Sequence, residues 1–266
     1  MRGQERARAY DVAVVAKALD ILEVLSSGEE LGLSALSVRG GMSKASAFRI
    51  LRTLEGRGCV EKDVVSQRYR PGPHLIALSC RFVSGLGLIQ HARPVLEQLY
   101  CESKETVNLG VLDQGEVLYI DMLESHQGLR MTARVGGRDP LHSTALGKAI
   151  LSRLPAQELK RLLSRFRWSR LTARTIMTPA ALQRELSLVR QRGYAVDDEE
   201  NEIGARCVGA PLRNPSGHSI GAISISGPVS RVSRGSIERI GTQLMLAARE
   251  IERRMGYWAL EDTSTG

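Results

Sequence analysis

Apolar residues recur every three or four positions in three segments near the start of the chain, which predicts three helices there. The first spans about residues 14–25, and its apolar stripe is formed by Val15, Ala18, Leu19, Leu22 and Leu25. The second is a short helix over residues 34–39, and Gly40-Gly41 ends it. The third spans residues 44–55, and its apolar face is formed by Ala47, Ile50, Leu51 and Leu54. We expect the first helix to pack behind the third.

The opposite face of the third helix is cationic, because Arg49 and Arg52 project from it, and Ser43 has the side chain expected of its N-cap. Two strands follow, over residues 59–62 and 68–70. A helix, a glycine turn, a basic helix and a basic hairpin in this order predict a winged helix-turn-helix that binds duplex DNA. The alternative, a solvated basic surface, does not explain the whole series. The candidate DNA contacts are Ser43, Lys44, Ala45, Ser46, Arg49, Arg52, Arg68 and Arg70.

Beyond the hairpin, an amphipathic linker helix is predicted from the spacing of Leu75, Leu78 and Phe82, and it ends at Gly85-Leu86-Gly87. Its apolar stripe has no evident partner within the chain, so we expect it to pack against a second copy. The predicted boundaries are 10–71 for the DNA-binding domain, 72–86 for the linker helix and 87–258 for a further domain.

From residue 87 onward, strands in hairpins are grouped with helices, which is typical of an α+β domain. The predicted strands cover residues 107–112, 117–123, 129–135, 195–196, 207–212 and 219–226. The predicted helices cover residues 88–103, 144–154, 155–163, 179–192 and 233–254. The expected fold class of the whole chain is therefore α+β.

Composition and charge narrow the function. The 266 residues carry a net charge of +8 and a pI near 9.6, which favours a polyanionic partner. Residues 160–192 contain nine basic residues and one acid, Glu185; a solvated face explains this run better than a second nucleic-acid surface. The cysteines and histidines lack metal-type spacing, so we expect no metal and no cofactor. With no secretory signal and no apolar run of roughly twenty residues, a cytoplasmic protein without a membrane partner is expected.

Two features of the second half suit a small anionic ligand. A loop ends and a helix begins in the string HSTALGK, so the amides of Ala145 and Leu146 are free to bind an anion. Ser224 and Ser226 alternate with isoleucines in one strand, so both hydroxyls lie on the same side. The alternatives are that the hydroxyl residues before the helix only cap it, and that the two serines face solvent.

Three long strings are distinctive: PLHSTALGKAIL at 140–151, GYAVDDEENEIGARCVGAPL at 193–212 and IGAISISGPVSR at 220–231. Together with the winged helix-turn-helix, they make the chain from Val14 to Tyr257 resemble the IclR family of bacterial transcription regulators. The resemblance implies an N-terminal DNA-binding domain, a dimerising linker helix and a C-terminal GAF-like α+β domain that binds a small effector. The chain departs from the usual pattern at Cys59, where an aromatic residue is common, and in an extra glycine after the second helix.

The resemblance implies effector contacts at several positions of the second half, with the acid group of the effector at the helix that follows HST. With the pattern above, the candidate effector contacts are Met131, Ala145, Leu146, Asp197, Ala205, Cys207, Ser224 and Ser226. Met131 and Ala205 are expected to form apolar wall, and Cys207 taken alone is typical of a small buried apolar residue. Beside an acid, Asp197 must accept a hydrogen bond from a ligand hydroxyl or be protonated.

The sequence thus predicts an effector-responsive regulator that binds operator DNA as a homodimer or a dimer of dimers. We expect a repressor of a catabolic operon, rather than an activator, with a small organic acid as its effector. The alternative is a thiol-dependent enzyme on a GAF-like scaffold that uses Cys207 or Cys101. Against it, no histidine lies close in sequence to either cysteine, and an enzyme needs no DNA-binding domain. A constitutive DNA-binding protein would leave the large C-terminal region unexplained.

Overall fold

The computed structural model describes residues 12–78, 87–131 and 133–257. The chain divides into two compact units, Met1–Gly85 and Leu86–Gly266. Each unit has its own hydrophobic core.

Among its described residues, the first unit combines helices with a three-stranded antiparallel sheet. Its elements in chain order are α1 (Ala13–Leu25), β1 (Leu31–Gly32), α2 (Leu33–Arg39), α3 (Lys44–Gly56), β2 (Val60–Lys62) and β3 (Arg68–Pro71). The strands pair in the order β1-β3-β2, so the short β1 extends the predicted hairpin. Leu36, Leu51 and Tyr69 are buried between the helices and the sheet. The unit is a winged helix-turn-helix, as predicted.

The predicted stripe on α1 is wrong in its first half. Ile21 and Leu25 are buried in the core, whereas Val15 and Leu19 are each 56% exposed. The small core accommodates only the last two turns of α1, and Ile21, which the prediction missed, takes the central position. The first turns therefore present an apolar face that the core of this unit does not cover.

The linker helix is described only at its start. Residues 73–78 are helical, and Leu75 and Leu78 are half-buried. The rest of the predicted helix, including Phe82, lies outside the described residues. So do the first two residues and the last residue of the predicted domains, at 10, 11 and 258.

The second unit contains one six-stranded antiparallel sheet among its described residues. Its elements are α4 (Leu88–Ser103), β4 (Thr106–Asp113), β5 (Glu116–Leu123), β6 (Arg138–Pro140), α5 (Ala145–Ser152), α6 (Ala156–Leu163), α7 (Pro179–Arg192), β7 (Ala195–Asp198), β8 (Ala205–Arg213), β9 (Ser219–Pro228) and α8 (Ile237–Arg254). A short 3-10 helix at Arg234–Ser236 precedes α8. The strand order is β6-β5-β4-β9-β8-β7. The unit is an α+β domain, as predicted.

Alternation of side chains along β8 and β9 separates two helical layers. Val208, Ile223 and Ile225 point to one face, where they pack against α4 and α8. On the other face, α5 lies across β8 and β9 and packs in turn against α7. Cys207 and Ser224 point to this second face, because they alternate with the first set. The two layers thus leave a polar surface of the sheet beneath α5.

The strand predicted at residues 129–135 is wrong. Its described backbone is irregular, and the strand that pairs with β5 is the shorter β6. Two of its backbone carbonyl groups accept hydrogen bonds from side chains rather than from a neighbouring strand. The Thr106 hydroxyl donates to the Met131 carbonyl, and Arg231 donates to the Leu129 carbonyl. The other predicted strands and helices of the second unit are confirmed, with ends that differ by a few residues.

Candidate DNA-binding face and effector cavity

The third helix, α3, has the geometry expected of a recognition helix. Ser43 is its N-cap, and its hydroxyl accepts a hydrogen bond of 3.2 Å from the amide of Ser46. Lys44, Ala45, Arg49 and Arg52 are exposed, and Ser46 is half-buried at the edge of the same face.

The two arginines of this face differ in their contacts. Arg52 pairs with Glu55 at 3.3 Å, within the same helix. The side chain of Arg49 forms no hydrogen bond or ion pair with another residue that the structure describes. The face therefore offers at least one uncommitted guanidinium group to a ligand.

The β2–β3 hairpin forms the wing. Arg68 is exposed and lies 3.4 Å from the carbonyl oxygen of Glu30. Arg70 pairs with Glu61 at 3.0 Å and lies 3.8 Å from Glu30. A phosphate group would have to replace these carboxylates to bind Arg70, whereas Arg68 is not bound to a carboxylate.

A cavity of about 150 Å³, which we call the effector cavity, lies between the sheet of the second unit and the start of α5. Seven of the candidate effector residues line it: Met131, Ala145, Leu146, Asp197, Cys207, Ser224 and Ser226. The eighth, Ala205, lies on the same face of β8 as Cys207 but does not line the cavity.

The start of α5 supplies backbone amides to this cavity. The Thr144 hydroxyl accepts from the amide of Gly147 at 3.1 Å, so the two amides without an intrahelical acceptor are those of Ala145 and Leu146. Gly209 on β8 allows this close approach, since a Cβ there would lie 3.0 Å from the carbonyl carbon of Ala145. The helix dipole favours an anion at this position.

A cluster of polar side chains faces these amides. Asn108 on β4 donates to the hydroxyl oxygens of Ser224 at 3.2 Å and Ser226 at 3.1 Å. The carbonyl oxygen of the Asn108 side chain is buried and accepts no hydrogen bond from the described residues. Because both serine oxygens accept from Asn108, their hydroxyl protons are available to a ligand. Sequence reasoning missed Asn108, although it is the one amide side chain in β4 and stands between the apolar residues Val107 and Leu109.

Two carboxyl groups of the cavity, those of Asp139 and Asp197, hold protons more tightly than usual. Asp197 is 2% exposed, and burial raises its pKa to about 7 even though the amides of Glu200 and Asn201 donate to it. Burial likewise raises the pKa of Asp139, whose carboxylate accepts from the Tyr119 hydroxyl at 2.8 Å. None of the described residues that line the cavity is a lysine or an arginine.

The thiol of Cys207 is poorly suited to nucleophilic catalysis. Burial raises its pKa well above the ordinary value, and the neighbouring carboxyl group of Asp197 raises it further. The nucleophile in thiol chemistry is the thiolate, which this environment disfavours. The cavity is thus suited to binding rather than to thiol catalysis.

A buried ion pair supports the wall of the cavity. Lys148 on α5 is fully buried, and its ammonium group donates to Glu200 and to the carbonyl oxygen of Val196. Glu200 lies in the turn that also supplies Asn201 to the cavity, and its own amide donates to Asp197. The pair therefore fixes this turn against α5.

No group of three or more metal-binding side chains that could hold a metal ion occurs among the described residues. Within the same part of the chain, no helix is long and apolar enough to cross a membrane.

Both units match models of one protein family. Residues 14–64 match the IclR helix-turn-helix domain, and residues 80–253 match the model described as bacterial transcriptional regulator IclR C-terminal. The chain belongs to the IclR family. The resemblance noted in the sequence is thereby confirmed, and this IclR-family member is a DNA-binding transcriptional regulator rather than an enzyme.

Known IclR-family proteins match over nearly the whole chain. The regulator KdgR of Dickeya chrysanthemi is 37% identical over 246 residues, which are 92% of this chain and 81% of KdgR. The transcriptional repressor IclR of Escherichia coli is 32% identical over 248 residues, 92% of this chain and 90% of the repressor. A solved structure of an IclR homolog from Microbacterium hydrocarbonoxydans, complexed with 4-hydroxybenzoate, covers 91% of this chain and 99% of its own, with a TM-score of 0.82 and 26% identity.

Proposed function

We propose that this regulator is a repressor of a catabolic operon and that it responds to a small organic acid bound in the effector cavity. The observation that carries the proposal is the pairing of two free helix amides with a cluster of hydroxyl and amide side chains across one cavity. Amides at a helix start bind an anion, and the opposing hydroxyls bind the other oxygens of a ligand.

The charges in the cavity favour an acid with a single carboxylate. The amides of Ala145 and Leu146 bind that carboxylate without a charged side chain. A second carboxylate would meet the carboxyl groups of Asp139 and Asp197, and no lysine or arginine among the described lining residues could bind it. The pKa of Asp197 lies near 7, so Asp197 can carry a proton. Protonated Asp197 does not repel the single carboxylate of the ligand.

The size of the cavity points to a compact ligand. Its volume of about 150 Å³ is below the ~300–1,000 Å³ typical of pockets for drug-sized ligands. Met131, Ala133 and Leu146 add apolar contacts to the polar ones. A small hydroxylated or aromatic monocarboxylic acid fits this combination, and 4-hydroxybenzoate, bound by a structural relative, is of that class.

The DNA-binding role is assigned to α3 and the wing. The exposed Arg49 suits bidentate binding to a guanine edge in the major groove. Arg68 on the wing suits a phosphate group, which fixes the register on the duplex but not the base sequence. The repressor assignment is supported by the name of the Escherichia coli relative, a transcriptional repressor.

Self-association as a homodimer or a dimer of dimers is also proposed. The exposed apolar face of α1, with Val15 and Leu19, is a surface that a second copy would bury. Leu78 on the linker segment extends the apolar surface predicted from the sequence. Sedimentation of a Leu78→Glu variant tests the linker: an unchanged oligomer would place the interface elsewhere.

An effector that binds one of two dimer arrangements more tightly shifts the spacing of the DNA-binding domains.

The effector assignment is tested by titration calorimetry, after a thermal-shift screen of small acids, neutral analogues and amines. We expect a monocarboxylic acid to bind the wild-type chain, and Ser224→Ala with Ser226→Ala to weaken it by about tenfold or more. Ser164→Ala with Ser216→Ala, two exposed serines of the same unit, is the control and should bind normally. A screen that finds only amines or neutral ligands, or undiminished affinity in the double variant, would overturn the assignment.

A further inference from the structure

A second cavity of about 250 Å³, which we call the arginine cavity, lies where α7 ends and α8 passes the edge of β8. Five arginines line it: Arg153, Arg190, Arg192, Arg213 and Arg249. None of its described lining residues also lines the effector cavity. The two cavities are therefore separate sites of the same unit.

The arginine cavity exists because the edge strand β7 is short. Ala195, the first residue of β7, pairs with Gly209, so β8 has no strand partner on that side from Ala210 onward. The uncovered stretch contains Pro211, which has no amide proton to offer to another strand. The ends of α5 and α7 and one side of α8 enclose this edge and turn it into a concave site.

Arg213 and Arg192 have carboxylate partners. Arg213 makes two hydrogen bonds to Glu252, at 3.1 and 3.2 Å, and Arg192 donates to Glu185 at 2.6 Å. Arg190 has neutral partners: it donates to the Ser187 hydroxyl at 3.0 Å and to the Ser152 carbonyl at 3.5 Å.

Arg249 has no hydrogen bond or ion pair to any residue that the structure describes. None of the described residues that line the arginine cavity is acidic. Arg190 and Arg249 therefore bring two positive charges, without a carboxylate partner among the described residues, to one concavity. Like charges held together in this way repel one another unless an anion lies between them.

Helix geometry accounts for part of this arrangement. Arg190 and Arg192 lie in the last turn of α7, where a cation is favoured by the helix dipole. That effect does not explain Arg249, which lies in the middle of α8 more than a turn before its end. It also does not explain why arginines from three helix segments and a strand face the same cavity.

We propose that the arginine cavity binds a compact phosphate-bearing metabolite. A guanidinium group binds two oxygens of a phosphate at once, which a lysine cannot do. A phosphate monoester carries a charge of about −1.5 to −2 at neutral pH, which offsets the charges of Arg190 and Arg249 better than one carboxylate does. A concavity of this volume holds a small molecule, whereas the backbone of duplex DNA is bound by extended surfaces.

The site is distinct in chemistry from the effector cavity, which is lined by carboxyl groups and has no cation among its described lining residues. Strand β8 connects the two, with Cys207 in one cavity and Arg213 at the other. Such a regulator would respond to two metabolites of different charge through one sheet.

The test is titration calorimetry of the full chain with pyrophosphate as the probe and citrate as a polycarboxylate of comparable charge. Arg190→Gln with Arg249→Gln removes the two cations that have no carboxylate partner and are exposed. Arg184→Gln with Arg239→Gln removes two exposed arginines from the same two helices, outside the cavity, and is the matched control. We expect pyrophosphate affinity to fall by more than about tenfold in the first variant and to change by less than about twofold in the control.

Three results would overturn the proposal. Equal losses in both variants would show a general charge effect, and citrate binding as tight as pyrophosphate binding would remove the preference for phosphate. Normal pyrophosphate affinity in Arg190→Gln with Arg249→Gln, accompanied by weaker binding of duplex DNA or by a changed oligomer in sedimentation, would assign these arginines to a macromolecular surface.

Discussion

Burial gives Asp197 a proton affinity that differs between the folded and unfolded chain. Its pKa is about 7 when folded and near 3.8 when unfolded, so folding binds this proton more tightly. The resulting stability is complete below about pH 4 and is lost as the pH rises through about 7, by on the order of 4 kcal/mol. Asp197→Asn keeps an oxygen that accepts from the amides of Glu200 and Asn201, so it should remove this pH dependence while preserving the turn.

Urea unfolding of both proteins at several values between about pH 5 and pH 8 measures the difference. We expect the free energy of unfolding of the wild type, relative to Asp197→Asn, to fall as the pH rises. Parallel pH profiles would show that Asp197 is already ionised in the folded protein.

Removing one partner of the buried pair of Lys148 and Glu200 should lower the free energy of unfolding strongly, whereas replacing both by apolar residues should lower it little. Lys148→Met leaves the Glu200 carboxylate without its cation in a buried position, and we expect a loss of about 3–5 kcal/mol in the free energy of unfolding. Lys148→Met with Glu200→Leu removes both charges and should recover most of it. Urea unfolding of the single and double variants decides; a double variant no more stable than the single one would contradict this account.

At the residue scale, the sequence predicted which polar residues share a face of a strand, but not which residues they contact. Ser224 and Ser226 could be predicted because alternation in a strand places both on one face. Asn108 and Asp139 could not, because the register that places β4 beside β9 and the pairing of β6 with β5 that positions Asp139 depend on the whole sheet. The burial that raises the pKa of Asp197 is likewise a property of the folded unit.

Among the elements, α3 carries the sharpest prediction about DNA. Arg49→Ala should weaken operator binding by about 1–3 kcal/mol and reduce base preference, because its guanidinium group is exposed and has no partner among the described residues. Arg68→Ala should weaken all duplexes alike and lower the salt dependence, as expected for a phosphate contact. Lys17→Ala on α1 is the control. Mobility shifts with operator and scrambled duplexes measure both effects, and wild-type affinity in Arg49→Ala would remove it from the base-contacting face.

Elements with strong periodicity were predicted well, whereas short or partly exposed ones were not. The helix from Pro179 to Arg192 was predicted at its observed bounds, since Thr178 caps it and Gly193 ends it. The stripe on α1 was misplaced because an apolar helix face indicates burial but not what buries it. β6 was missed because Arg138–Pro140 is too short to show alternation, and its place depends on pairing with β5.

In the whole molecule, the positive charges behind the net charge of +8 lie at separate surfaces with different proposed functions. The DNA-binding unit uses a few exposed arginines on α3 and the wing. Part of the remaining excess is concentrated at the arginine cavity, whereas the effector cavity is lined by carboxyl groups. The basic run at residues 160–192, which the sequence interpretation assigned to solvent, contributes Arg190 and Arg192 to that cavity. Sequence spacing could not show this, because the other three arginines come from distant segments.

The central claim is that a ligand in the effector cavity controls DNA binding. The most direct measurement is the fluorescence anisotropy of a labelled operator duplex while the acid found by the screen is titrated in. The operator is first selected from duplexes of random sequence. For the wild-type chain we expect the acid to release the operator. Ser224→Ala with Ser226→Ala should bind the operator as tightly as the wild type but require at least about tenfold more acid for release. If the double variant releases the operator at the same acid concentration as the wild type, the cavity beneath α5 is not the effector site.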